Sequence, residues 1–181
     1  MGSSLRFTPT DLAGVAIIEP VSRRDNRGFF ARGWCRSEFA EQGIDFVPVQ
    51  ANFGYSTRKG TLRGIHYQVQ PALEAKLVYC TRGALFDVVV DLRRESPTYL
   101  KWKAVELRPD DHRMLYVPER CGHGYQTLED NTELFYLASQ YYTASAARGV
   151  RFDDPAIGIK WPLEPAAMSE QDVSWPLLAT R

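Results

Sequence analysis

Residues Lys59-Gly60-Thr61-Leu62-Arg63-Gly64-Ile65-His66-Tyr67-Gln68 decide how the chain is read. Arg63 and His66 stand three apart. On a regular strand such residues point to opposite faces, because Cβ atoms alternate. Gly64 lies between them, and a glycine inside a strand marks a bulge or a close backbone approach. The stretch therefore predicts a bent strand that turns a permanent cation and a titratable imidazole toward one cavity.

The sequence on either side of it is rich in short β patterns. Lys76–Cys80 reads as a strand and ends at the Arg82-Gly83 turn. Ala84–Leu92 follows, with Phe86, Val88, Val90 and Leu92 on one face and Asp87 and Asp91 on the other. Trp102–Leu107 alternates until Arg108-Pro109-Asp110-Asp111 breaks it. Met114–Val117, Gly124–Leu128 and Glu133–Tyr142 read as three more strands. Upstream, Val15–Ile18 is a strand, Arg23–Phe30 a charged turn leading into an aromatic pair, and Phe46–Asn52 a strand with Pro48 at an edge or irregular position. Ser37–Gln42 fits a short helix, with Ser37 as N-cap and Gly43 just past its end. Many short strands with one helix predict an all-β protein, a jelly-roll barrel able to hold a small ligand between its sheets.

At 181 residues the chain is expected to form one domain over 1–181. Its 22 basic and 22 acidic side chains balance, so no basic surface predicts nucleic acid as a partner and any anion site must be local. Cys35, Cys80 and Cys121 form neither a CxxC pair nor an even framework, which suggests reduced thiols in a cytoplasmic protein. No apolar run is long enough for a membrane span or a signal peptide.

Three histidines are present. His112, within a polar turn, reads as a solvated surface residue. His123 lies between Gly122 and Gly124, and packing and function are equally open to it. The run Pro118-Glu119-Arg120-Cys121-Gly122-His123 is similar to a segment that supplies a metal ligand in cupins. A divalent metal needs three or four converging ligands. Two histidines with no third ligand in view make a poor metal site, so no metal is expected. Without one, a histidine at a barrel mouth serves best as an acid or base. It then needs an orienting carboxylate, an electrophile and a second proton carrier. Lys76, Tyr136 and Asp172 are candidates, although Tyr136 reads equally well as a core ring and composition alone makes Asp172 a surface acid.

The ordered motifs resemble the dTDP-4-dehydrorhamnose 3,5-epimerase family along nearly the whole chain. They are Asp25–Phe30, Gln50-Ala51-Asn52 with Ser56, Lys59–Gln68, Lys76–Val78, Phe86–Arg93, Ser96–Thr98, Gly122–Tyr125, Ile159–Pro162 and Ser169–Asp172. The resemblance implies a cupin-type barrel, dimeric and without metal or other cofactor, that acts on a nucleotide-diphosphate sugar. It implies that His66 is the general base, that Asp172 holds its imidazole, and that Tyr136 returns a proton from the opposite face. Lys76 and His123 would surround the C4 carbonyl. Arg27, Gln50, Asn52 and Arg63 would contact the nucleotide and diphosphate, and Tyr142 would be the platform for the base.

The chain departs from the family pattern at Arg32 and Ala147, where glutamates are usual, and at Gln171, where a lysine is usual. The Gln50–Asn52 segment also stands one residue further from Arg63 than the pattern expects. These departures suggest retained chemistry with an altered nucleotide or sugar. Open beside the double epimerase are a single-carbon epimerase or 3,4-ketoisomerase, a non-catalytic sugar-nucleotide binder, and a metal-dependent cupin.

Overall fold

A computed structural model describes residues 3–178. Thirteen strands and two short helices follow in order: β1 (Leu5–Pro9), β2 (Ala16–Pro20), β3 (Arg23–Asp25), β4 (Gly28–Phe30), α1 (Arg36–Glu41), β5 (Gln50–Ser56), β6 (Leu62–Gln68), β7 (Lys76–Arg82), β8 (Leu85–Asp91), β9 (Trp102–Leu107), β10 (Met114–Val117), β11 (Cys121–Thr127), β12 (Thr132–Ala138), β13 (Ala147–Gly149) and α2 (Glu170–Ser174). One antiparallel sheet has the order β1-β2-β10-β7-β12-β5 and the other β13-β6-β11-β8-β9; β3 and β4 form a separate hairpin. Facing one another, the two sheets make the expected jelly-roll barrel. No helix among the described residues is long and apolar enough to cross a membrane.

Apolar packing occurs in three layers. Val78, Cys80, Leu85, Val89, Leu115, Val117, Tyr125 and Leu134 fill the space between the sheets. Phe39 of α1 packs with Phe46, Leu77, Met114 and Tyr116 on the outer side of the six-stranded sheet. Ile65, Val88 and Val90 meet Val150, Ile157 and Ile159 on the outer side of the other sheet. Central strands are thus covered on both faces, which is why β8 is buried along nearly its whole length. The face of β8 that carries Asp87 and Asp91 is buried as well, both residues being 0 % exposed. Asp91 is kept ionised by Arg93, Ser96 and Thr98, all of which donate to it.

Several boundaries differ from expectation. The N-cap of α1 is Cys35, not Ser37, and it makes no side-chain capping bond. Phe46–Val49 lies outside the ladder, because Phe46 turns into the core while pairing with β12 begins only at Gln50. Tyr142 likewise lies past the end of β12. Arg23–Phe30 is a complete hairpin, with Asn26 and Arg27 at its tip. β1, β13 and α2 were not anticipated.

The bend at Gly64 is the feature that positions the site. His123 pairs with His66, and Tyr125 with Arg63. His123 and Tyr125 are two apart and share a face, so one extra residue in β6 lets Arg63 and His66 share theirs, the defining geometry of a β-bulge. Gly64 has φ +123°, and a Cβ there would stand 2.5 Å from Gly124 Cα and 2.9 Å from the His123 carbonyl oxygen. Only glycine fits.

Candidate active site

The open end of the barrel holds two adjoining lobes, of ≈ 200 Å³ and ≈ 250 Å³, which share His66, Lys76 and Tyr136 as walls. His66 enters from β6 in the five-stranded sheet; Lys76 (β7) and Tyr136 (β12) enter from the six-stranded sheet. An imidazole and a phenol therefore face one cavity from opposite sides.

His66 is fixed by Asp172, whose Oδ1 lies 2.5 Å from Nε2. Asp172 is 3 % exposed, within the single turn of α2 that Ser169 caps by accepting from the Asp172 N–H. With Nε2 donating to the carboxylate, the Nδ1 lone pair is left for a substrate proton. Burial works to raise the Asp172 carboxyl, but the hydrogen bond and charge of His66, with donors from Ser169 and the Gly64 N–H, hold it below its ordinary 3.8. A depressed carboxyl stabilises the fold fully above its unfolded value, and that contribution is lost as pH falls through the folded one. The stability deficit of Asp172→Asn should accordingly be largest near neutrality and shrink as pH falls below about 3.8, measured by urea unfolding at stepped pH.

His123 is also oriented by an acid, its Nε2 lying 2.8 Å from Oδ1 of the fully buried Asp87. The Lys76 ammonium lies 3.3 Å from Glu74, with side chains only 12 % and 11 % exposed. Tyr136 is half-buried. Burial, and then the charge of Glu74, push its phenol above the ordinary tyrosine value, so it stays protonated at neutral pH. Arg63 is aimed by the Tyr55 carbonyl at 3.0 Å and Ser56 Oγ at 3.4 Å.

At the rim, Gln50 and Asn52 stand side by side on β5, their amides 3.2 Å apart. Gln50 Oε1 accepts from the Tyr142 N–H, and Gln68 brackets the neighbouring residues by donating to the Tyr141 carbonyl and accepting from the Thr143 N–H. Tyr142, 67 % exposed, thus stands over the cavity on a segment tied to both sheets.

Of the residues singled out from sequence, His66, Tyr136, Lys76, Gln50, Asn52, Arg63, His123 and Tyr142 line the two lobes, with Asp172 directly behind His66. Arg27 does not. It pairs with Asp25 at the tip of the β3–β4 hairpin and lines a different surface cleft with Phe29 and Phe30. Ala147 and Gln171 are in the cavity wall, whereas Arg32 is engaged with Glu38 at 3.0 Å. Sequence reasoning missed Glu74, Asp87, Gln68 and Trp175. Alternation about Lys76 could have suggested Glu74, whereas Asp87 meets His123 only through the pairing of β8 with β11. Trp175 is found only in space, through its ring packed over Gly149.

Fold and site together define a cupin-type barrel whose cavity presents an imidazole and a phenol from facing sheets. The sequence matches the family described as dTDP-4-dehydrorhamnose 3,5-epimerase over residues 9–180. It is 42 % identical to the dTDP-4-dehydrorhamnose 3,5-epimerase of Sinorhizobium fredii, covering 95 % of this chain and 89 % of the relative. It is 40 % identical to the dTDP-4-dehydrorhamnose 3-epimerase of Streptomyces niveus, covering 97 % and 84 %. The dTDP-6-deoxy-D-glucose-3,5-epimerase of Legionella pneumophila, solved with dTDP-4-keto-L-rhamnose, superposes with a TM-score of 0.90 at 35 % identity, covering 97 % and 93 %. The chain belongs to the dTDP-4-dehydrorhamnose 3,5-epimerase family, and it is a carbohydrate epimerase of the isomerase class.

Proposed function

We propose that this single-domain enzyme epimerises a dTDP-linked 4-keto-6-deoxyhexose at C3 and C5, with His66 as base and Tyr136 as acid. One observation carries the reading: the imidazole and the phenol reach the same cavity from opposite sheets. The C4 ketone acidifies the neighbouring C–H bonds. Nδ1 of His66 takes the proton, and the C–H electron pair moves onto the C4 oxygen as an enolate. The Tyr136 O–H then delivers a proton to the opposite face and becomes tyrosinate, and solvent resets both groups. A positioned base contributes roughly 10²–10⁴-fold. Lys76 supplies positive charge for the enolate oxygen, worth a comparable factor, and His123, held by Asp87, lines the same wall. Arg63 provides a fork for diphosphate oxygens. Gln50 and Asn52 offer amides to the nucleotide, and Tyr142 a ring on which its base stacks. Arg27 lines a different cleft of the same chain and is given no role in this scheme.

The proposal extends to a cytoplasmic homodimer. Supporting it are three unpaired thiols and the edge strand β5, which exposes Phe53 at 71 % and Tyr55 at 44 % beside an unpaired ladder. A second reading, inversion of one carbon only, is favoured by Ala147 and Gln171, which place short or neutral side chains in the wall where the family usually has a glutamate and a lysine.

Proton NMR in D2O with dTDP-, CDP-, GDP- and UDP-4-keto-6-deoxyhexoses tests both readings. Deuterium entering C3 and C5 of the dTDP sugar with inversion at each is the expected result. Exchange and inversion at one carbon would establish the second reading, and no exchange with any of them would defeat the proposal.

A further inference from the structure

Glu74 has no part in the proton transfers just described, yet among the described residues it is the one carboxylate lining either lobe of the cavity. We propose that Glu74 is a positioning residue for the reaction: paired with Lys76, it anchors the ammonium at the cavity wall and sets its own negative charge in the lobe that the Tyr136 phenol lines. This rests on the acid–base reading of His66 and Tyr136.

The placement of Glu74 is built into the fold. Ala75 packs outward against the Phe39 cluster, so its neighbours Glu74 and Lys76 both turn inward. Ala75 is itself pinned to the far end of β12, its N–H donating to Ser139 Oγ at 2.8 Å and its carbonyl accepting from the Ser139 N–H at 3.0 Å. Glu74 is therefore held at the start of β7, where Lys76 pairs with Ala138 and Val78 with Tyr136. The Lys76–Glu74 pair is almost nine-tenths buried, an environment in which one charge is felt strongly by its neighbours.

The titratable and charged groups facing Tyr136 come from every wall. Arg63 and His66 stand on β6, His123 and Tyr125 on β11, Lys76 on β7, and Tyr142 and Arg148 at the rim. The cations among them favour a phenolate. Burial opposes it, and Glu74 is the charged group that adds to that opposition.

The test is a titration of Tyr136 in ring-labelled enzyme without substrate, followed by NMR and assigned by the signal missing from Tyr136→Phe, alongside the pH profile of kcat. Glu74→Gln should move both the Tyr136 titration and the basic limb of kcat down by on the order of one pH unit, with Glu74→Asp restoring the wild-type profile. Activity that falls while the titration and the limb stay in place would overturn the inference, leaving Glu74 a packing residue. Lys76→Met gives an arm of opposite sign, because an unpaired Glu74 should move the Tyr136 titration upward. Should Glu74→Gln not fold, a Lys76→Met titration that is unmoved or lowered overturns the inference. Wild-type enzyme inert toward every 4-keto sugar would defeat the proposed function, whereas a Tyr136 titration indifferent to Glu74 defeats only this inference.

Discussion

Replacing His66 with asparagine should lower deuterium exchange at the carbons beside the ketone by about 10²–10⁴-fold, the contribution of a positioned base. The fold should hardly notice. The His66 side chain is 44 % exposed, and the asparagine amide keeps a donor on the side of Asp172, whose side chain is only 4 % exposed. A buried carboxylate stripped of its donor would otherwise complicate the measurement. The comparison therefore separates chemistry from stability: exchange falls while the thermal midpoint stays within a few degrees, by NMR and calorimetry on the same samples. Residual exchange near the wild-type rate would mean that another group takes the proton.

Tyr136→Phe should uncouple exchange from inversion. His66 still removes the proton and can return a deuteron to the same face, so label continues to enter with configuration retained. Formation of the epimer should fall by about 10²–10⁴-fold. Stability should be unchanged or slightly improved, because the Tyr136 hydroxyl makes no hydrogen bond among the described residues and its ring packs against the apolar cluster between the sheets. Product analysis by NMR set against label incorporation by mass spectrometry reads the ratio directly. Equal loss of label and of epimer would place the phenol outside the reprotonation step.

How much of this could be read from the chain depended on range. β8, β9 and β10 were legible because their apolar pattern is local and strong. β1 and β13 were not, because β1 offers only Leu5 and Phe7 before Pro9 and β13, Ala147-Arg148-Gly149, has no large apolar side chain. The helix before Gly43 was seen, but its cap was misplaced: Ser37 lies inside the first turn, its hydroxyl 3.1 Å from Cys35 Sγ. Phe46–Val49 alternates like a strand but lacks ladder partners, which no local pattern can report.

The site shows the same division. The bulge at Gly64 was predictable from a glycine placed between two functional side chains. The burial of Asp172 was not, since composition around it reads as surface and its partner is 106 residues away. Only the family resemblance anticipated that pairing. The resemblance also implied a place for Arg27 beside the substrate, and in this chain the hairpin carries it elsewhere. The burial of Asp87 was not legible, because alternation assigns a face without saying whether that face is wet. Here both faces of β8 are covered.

Because the two proton carriers hang from different sheets, the gap between them is set by whatever spaces those sheets. Tyr125 and Leu134 lie in that filling, immediately beside the cavity. The core between the sheets thus acts as a caliper on the ketosugar. Trimming it at Leu134, an apolar wall residue with no step of its own in the scheme, would change that spacing and slow the delivery step before it touched the removal step, so that stereochemical outcome becomes a property of hydrocarbon packing.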